Sequence, residues 1–410
     1  MFRAGILYAQ HILISRIYLN KYMKQKLLSY SFFFQEMFLS KDIFLIPYYI
    51  SKELNLPFEC RYCENLGETP ISEEYRGVKI KSINSHYGEF ISMLCAIVLK
   101  AWGISVLFLH GSSAKHMLIV RLYKLLNPKG KVVIFGDMEA PQAKELNENG
   151  FIYTKGLKGL IKNYLTNFFF NHVTYLVANT EAYRIMKELC DRKGWKGLLH
   201  FYPCLDDELV KKYGIQRKNF DEKENIIICV GRIGNFQKNT EMLLDALKSV
   251  DLKDWKIYMI GPITSSFDLK EKSGFHNVID AFYIDFPQYK EKLIFTGMIY
   301  DQKEMFDYYN RAKVLLSTAR HEGFANVYSQ AAAFGCYIIS TDVGGADVGS
   351  NNWTYGTKIK QEDSAELYSV LNNLVHGNIQ IDSHRSIPME DITYSNRIRN
   401  ILIPAAKTIK

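Results

Sequence analysis

Residues Ser317–Gly345 read STARHEGFANVYSQAAAFGCYIISTDVGG. An apolar strand end is followed by a loop holding one acid, Glu322, then a short helix over Ala325–Phe334. A second strand, Tyr337–Ser340, and a Gly-Gly turn close the stretch. Strand, loop, helix and strand in this order form one unit of a parallel α/β sheet, whose ligands bind at the carboxyl ends of the strands. A helix start beside such a loop presents free backbone N–H groups to an anion.

Upstream, VGRIGNFQKN (Val230–Asn239) has the same construction. A buried strand ends at Gly231, and a loop carries Arg232 and Lys238 into a helix starting near Asn239. Two fixed cations beside helix-end N–H groups suit a diphosphate, whose developing charge they stabilise without a metal. Ordinary loop cations would give the same letters, so this stretch alone leaves both readings open.

Around these two stretches strands and helices alternate. Strands are expected at Ile226–Val230, Lys256–Ile260, Leu293–Phe295, Val314–Ser317 and Tyr337–Ser340. Helices are expected at Thr240–Val250, Gln302–Arg311, Ala325–Phe334 and Ser364–Val375. The first half reads similarly. Strands are expected at Tyr30–Phe34, Phe58–Tyr62, Val78–Ile83, Ser105–Leu109, Lys131–Phe135 and Val173–Ala178. A helix over Lys41–Leu54 is expected to break at Pro47, and Asn179-Thr180 to cap a helix over Glu181–Asp191. A long charged run over 200–224 marks the change of domain. The fold class predicted is α/β, two Rossmann-like doubly wound domains facing across a cleft. Their bounds are 1–205 and 206–385, with a C-terminal helix in 386–410 packing back on the first.

Composition agrees with a folded enzyme-sized chain. The 410 residues are 48% hydrophobic and 23% charged, which excludes a disordered or fibrous protein. Seven unevenly spaced cysteines form no disulfide framework. Cys60 and Cys63 make a CxxC without a second ligand pair, so reduced thiols of a cytoplasmic protein are expected rather than a zinc site. No secretory signal is expected, because Gly5–Ile14 is short and carries Gln10 and His11. The apolar stretch Phe90–Leu109 is interrupted by Lys100 and Gly103. It reads as a helix capped at Gly103 and then a strand, not a membrane span.

The net charge of +8 is uneven: residues 1–200 carry 26 basic and 16 acidic residues, the rest 25 and 27. Residues 1–28 hold five basic residues and no acid. In Lys155–Phe170 three lysines share one helical face and apolar residues another. Both segments suit docking on an anionic membrane surface, and equally helices packed on the first domain.

The two loops together, with YMIGP (Tyr258–Pro262) and IFTGMI (Ile294–Ile299) between them, resemble the retaining glycosyltransferases of family four, which have the GT-B fold. The resemblance runs well from about Ile226 to Gly345 and more weakly through KDIFLIPYYISKEL and Lys131–Glu139. It implies that Arg232 and Lys238 hold a donor diphosphate, and that Glu322 bonds hydroxyls of the transferred sugar. Gly231 lies on the diphosphate loop. Gly323, Phe324, Ala325 and Asn326 would sit beside sugar and phosphate, and Gly261 and Met298 along the nucleoside.

Two positions depart from that family. Gln330 stands where a ribose-binding acid is usual, and an amide offers one acceptor oxygen and a donor NH₂ instead of two acceptors. Gly136 and Asp137 stand where a His is common. Asp137 is the candidate near the reacting sugar, with His110 a second. The implied chemistry is sugar transfer from a nucleotide diphosphate sugar to an acceptor hydroxyl with retention, without cofactor, metal or nucleic acid. A lipid-linked or glycan acceptor and a place in surface polysaccharide or lipopolysaccharide assembly follow by analogy. A catalytically inert GT-B subunit, suggested by Gln330 and Gly136, and a sugar-nucleotide epimerase are the alternatives.

Overall fold

The computed structural model describes residues 25–32, 34–63, 71–83, 88–98, 100–111, 113–136, 143–144, 147–148, 164, 167–264 and 274–404. The chain divides into two compact units, Met1–Phe201 with Ile398–Lys410, and Tyr202–Arg397.

The first unit is built on β1 (Lys26–Ser31), β2 (Phe58–Cys63), β3 (Glu74–Tyr75), β4 (Val78–Ile83), β5 (Ile104–His110), β6 (Lys131–Gly136), β7 (Tyr175–Ala178) and β8 (Leu198–His200). They form one sheet in the order β3-β4-β2-β1-β5-β6-β7-β8, parallel apart from the short β3. Between them run α1 (Asp42–Glu53), α2 (Glu89–Val98), α3 (Ala114–Leu126) and α4 (Thr180–Arg192). The inner strands bury both faces, as parallel strands covered by helices must: Leu107, Val132 and Leu176 on one face and Phe108, Phe135 and Val177 on the other are buried.

The second unit carries β9 (Glu224–Val230), β10 (Lys256–Ile260), β11 (Leu293–Gly297), β12 (Ala312–Ser317), β13 (Tyr337–Thr341) and β14 (Gly356–Ile359). Their order is β11-β10-β9-β12-β13-β14, and every pairing is parallel. This is the doubly wound order with its reversal between β9 and β12, the point at which such sheets open a crevice. Its helices are α5 (Asp207–Tyr213), α6 (Thr240–Leu247), α7 (Gly274–Asp285), α8 (Gln302–Arg311), α9 (Asn326–Ala333), α10 (Ala346–Gly349), α11 (Ser364–Val375) and α12 (Tyr394–Arg397). Its core packs Ile227, Ile257, Leu293, Val314 and Ile339 of the sheet against Leu243 and Leu247 of α6 and Leu367 and Leu371 of α11.

Several expectations are corrected. The first strand is Lys26–Ser31, not Tyr30–Phe34. Helix α1 runs unbroken through Pro47. All residues from Ile43 to Ser51 are buried, and that packing outweighs a proline cost of about 3 kcal/mol. Gly103 does not cap a long helix: α2 stops at Val98, and Gly103 closes a separate 3₁₀ turn, Ala101–Gly103. Segment 386–410 is divided, since the chain to Arg397 belongs with the second unit and only Ile398–Lys410 with the first. Strands β3, β8 and β14 and helices α5, α7 and α10 are additional to the elements expected. Residues 1–24, Asp137 and most of Lys155–Phe170 lie outside the described residues.

Candidate functional site

The site is built from loops leaving the carboxyl ends of adjacent strands in the second unit. After β9, the chain turns at Gly231, whose N–H donates to Ile260 O at 2.9 Å. Gly261, after β10, donates in turn to Gly297 O at 2.9 Å, at the end of β11. Gly261 has φ +143, and a Cβ there would lie 1.9 Å from Gly231 O. Only glycine lets these two backbones come so close. Met298 follows Gly297 and is exposed.

The β9 loop ends in a 3₁₀ turn, Phe236–Lys238, and Asn239 takes the left-handed conformation (φ +49) before α6 starts at Thr240. Asparagine and glycine tolerate that conformation best, which suits Asn239 to the position after the lysine. The Thr318 hydroxyl, after β12, reaches Lys238 O at 3.0 Å and Asn239 O at 2.8 Å, fixing the lysine's backbone to the neighbouring loop.

Lys238 Nζ donates to Glu322 Oε1, across 84 positions of sequence. Both side chains are largely buried, 19% and 10% exposed. Arg232 is exposed and bonds Gln237, its Nη2 donating to Oε1 at 2.7 Å. Gln237 in turn donates from Nε2 to His321 O at 2.9 Å, so one side chain links the arginine to the Glu322 loop. Gly231, Arg232 and Lys238 line one hollow together with Thr240, Ser317 and Thr318.

Beyond Glu322 the chain is fixed from both sides. Gly344 packs so closely that a Cβ on it would lie 2.1 Å from Gly323 O. Phe324 is buried and stacks on Tyr202, with centroids 4.9 Å apart and planes 9° from parallel. Ala325 precedes α9, and Asn326 is its first residue. Tyr328 bonds Ser340 Oγ at 2.8 Å, and burial pushes its phenol up to about 12 against hydrogen bonds to Ser317 and Ser340. Gln330, on the same helix, is partly buried, and no hydrogen bond of its side chain is found among the described residues.

The structure therefore brings Gly231, Arg232, Lys238 and Glu322 together, with Gly261 beside Gly231. Gly323, Phe324, Ala325 and Asn326 follow Glu322 into α9. Met298 follows Gly297, whose carbonyl accepts from the Gly261 N–H. Asp137 lies outside the described residues. His110, in the first unit, ends β5 with its ring 5.5 Å from that of Phe135. Sequence reading missed Gln237, Arg320 and Glu362. Nothing in their spacing sets them apart from surface residues, because their partners come from other loops.

Residues 224–376 match the family described as Glycosyl transferases group 1. Over 123 residues the chain is 28% identical to the amylovoran biosynthesis glycosyltransferase AmsD of Erwinia amylovora. That match covers 30% of this chain and 31% of the relative, so it spans about a third of the relative's length. Among solved structures, a glycosyltransferase from Rickettsia africae superposes with a TM-score of 0.66 at 14% identity, covering 94% of this chain and 99% of that one. The apo lipopolysaccharide outer core galactosyltransferase WaaB gives 0.63 at 14%, with the same coverage. Anabaena HepE, in complex with UDP and glucose, gives 0.57 at 12%, covering 94% and 98%. These likenesses place both units in the two-Rossmann GT-B fold. By sequence, residues 224–376 of the second unit are similar to the group 1 glycosyltransferases, and by fold both units are similar to GT-B proteins.

Proposed function

We propose that the protein is a metal-independent, retaining hexosyltransferase that moves a sugar from a nucleotide diphosphate sugar to an acceptor hydroxyl. The observation that carries this reading is the convergence of Lys238, Arg232 and Glu322 at the switch point of the second sheet. Arg232 and Lys238 supply two positive charges for a diphosphate, and Glu322 an acceptor for sugar hydroxyls. Lys238 and Glu322 neutralise each other in this structure. A donor spanning them supplies each with a new partner, phosphate oxygens for the amine and hydroxyls for the carboxylate.

In the step proposed, the bond from the anomeric carbon to the donor phosphate breaks as the acceptor oxygen bonds on the same face. The acceptor proton passes to the departing phosphate oxygen, so no protein nucleophile is needed. The proposed setting is surface polysaccharide or lipopolysaccharide assembly, with a lipid-linked or glycan acceptor. AmsD's name, an amylovoran biosynthesis glycosyltransferase, supports it. The basic first half of the chain suits a peripheral position on an anionic membrane, and no described helix is long and apolar enough to cross one.

The test is a thermal-shift screen of UDP, GDP, ADP and their sugars, followed by hydrolysis assays with the sugar nucleotides that bind. A bound donor raises the transition by mass action. Lys238→Ala is expected to lower turnover by about 10²-fold or more, the scale of losing one preorganised charge partner. Absence of binding and turnover with every nucleotide would favour the inert subunit, a reading that Gln330 motivates. Conversion of the sugar nucleotide with no acceptor present would favour the epimerase.

A further inference from the structure

Arg320 and Glu362 lie outside the groups assigned to the donor, yet they join three loops of its site. Arg320 precedes Glu322 by two residues. Its Nε and Nη2 donate to the two carboxylate oxygens of Glu362 at 2.5 and 3.2 Å. Its Nη1 donates to Phe236 O at 2.5 Å, and the guanidinium lies 4.2 Å from the Phe236 ring centroid. The Arg320 N–H donates to Gln237 O at 2.8 Å, and its carbonyl accepts from Gln361 Nε2 at 2.7 Å. Glu362, in the turn after β14, also accepts from Asn239 Nδ2 at 3.3 Å. The loops after β9, β12 and β14 are thus tied together within two residues of Lys238 and of Glu322.

We propose that Arg320 and Glu362 form a latch that holds Lys238 and Glu322 in register for the donor, which makes both positioning residues. The proposal rests on the assignment of that pair to the donor site. Magnitudes separate this role from general stability. The side chains are 20% and 57% exposed, and a pair so wet contributes only about 0–1 kcal/mol to folding. Misplacing a substrate-binding group by about 1 Å, by contrast, can cost about 10²-fold in rate. A fork-to-carboxylate contact fixes direction as well as distance, which a single-point contact from lysine would not.

The experiment compares wild type with Glu362→Gln, Arg320→Met and Arg320→Lys by acetic anhydride labelling and mass spectrometry, alongside UDP-glucose hydrolysis. In the first two variants Lys238 labelling is expected to rise severalfold, because an amine released from its carboxylate partner becomes accessible. Lys223 is the internal control. It is 4% exposed, and its amine is held by the carbonyls of Tyr309, Asn310 and Ala312. Its protection is expected to persist, with hydrolysis down by about tenfold and partly restored in Arg320→Lys. Unchanged Lys238 labelling in Glu362→Gln and Arg320→Met would overturn the latch. So would equal exposure of Lys223, which marks general loosening of the unit. A wild type that handles no sugar nucleotide overturns the donor assignment instead, and the labelling still decides whether the latch holds the pair.

Discussion

At the scale of single residues, the site's chemistry rests on a charge pair that neither partner can leave cheaply. Lys238 and Glu322 are both largely buried, so removing one strands the other's charge away from water. Residue type marked Lys238 and Arg232 in the sequence, because loop cations beside a helix start suit a diphosphate, while the reading of Glu322 as a partner of sugar hydroxyls came from the family resemblance. Gln237 was not visible. Its role comes from reaching Arg232 on one side and His321 O on the other, and that bridge exists only when the two loops meet. Gln330 is the residue whose type argues against the family pattern. With no hydrogen bond to its side chain among the described residues, a carboxylate in its place breaks no contact seen there. Gln330→Glu is therefore expected to keep turnover and to leave the donor KM unchanged or lower. Steady-state kinetics check this, and a loss beyond about tenfold, about 1.4 kcal/mol, would mean that the amide reads a specific group.

At the scale of elements, the loops matter through how closely their backbones meet. Gly344 lies against the Glu322 loop so that a Cβ would meet Gly323 O at 2.1 Å and Glu322 O at 2.6 Å. Backbone cannot swing aside as a side chain does. Gly344→Ala is expected to destabilise the second unit by about 1–3 kcal/mol and to displace Glu322. Calorimetric melting and donor KM measure the two effects separately, and an unchanged KM would show that the loop absorbs the methyl group. Helices α8 and α11 and strands β4 and β10 fall where periodicity placed them. Helix α7 escaped because it follows a polar stretch without a clear start signal. Strand β14, four residues long, is too short to show a period. Pro47 misled in the other direction: local chemistry predicts a break, and burial all round α1 overrides it.

At the scale of the whole molecule, the two units have separate sheets and separate cores, and each carries its own electrostatic device. In the first, burial raises the Glu59 carboxyl, but hydrogen bonds and charge from Lys26 and Arg61 outweigh it and hold it near 2. An unfolded chain takes up that proton near the ordinary value of 4.5, so between about pH 4.5 and 2 the unfolded state binds more protons. The first unit's stability is therefore expected to fall as pH drops through that window, and Glu59→Gln to flatten the dependence. Acid titration followed by hydrogen exchange in β1 and β2 checks it, and an unaltered slope in the variant would remove Glu59 as the cause. By itself, the sequence determined the alternation of strands and helices, the doubly wound class of each half, and the residue types of the loops after β9 and β12. It did so because burial of parallel strands and capping of helices are local demands written in apolar runs, glycines and cap residues. Only the tertiary structure decided which loops meet. The reversal of strand order between β9 and β12 sets Lys238 against Glu322, and the turn after β14 brings Glu362 to Arg320. Contacts across 84 and 42 positions depend on sheet order, which no window of sequence contains.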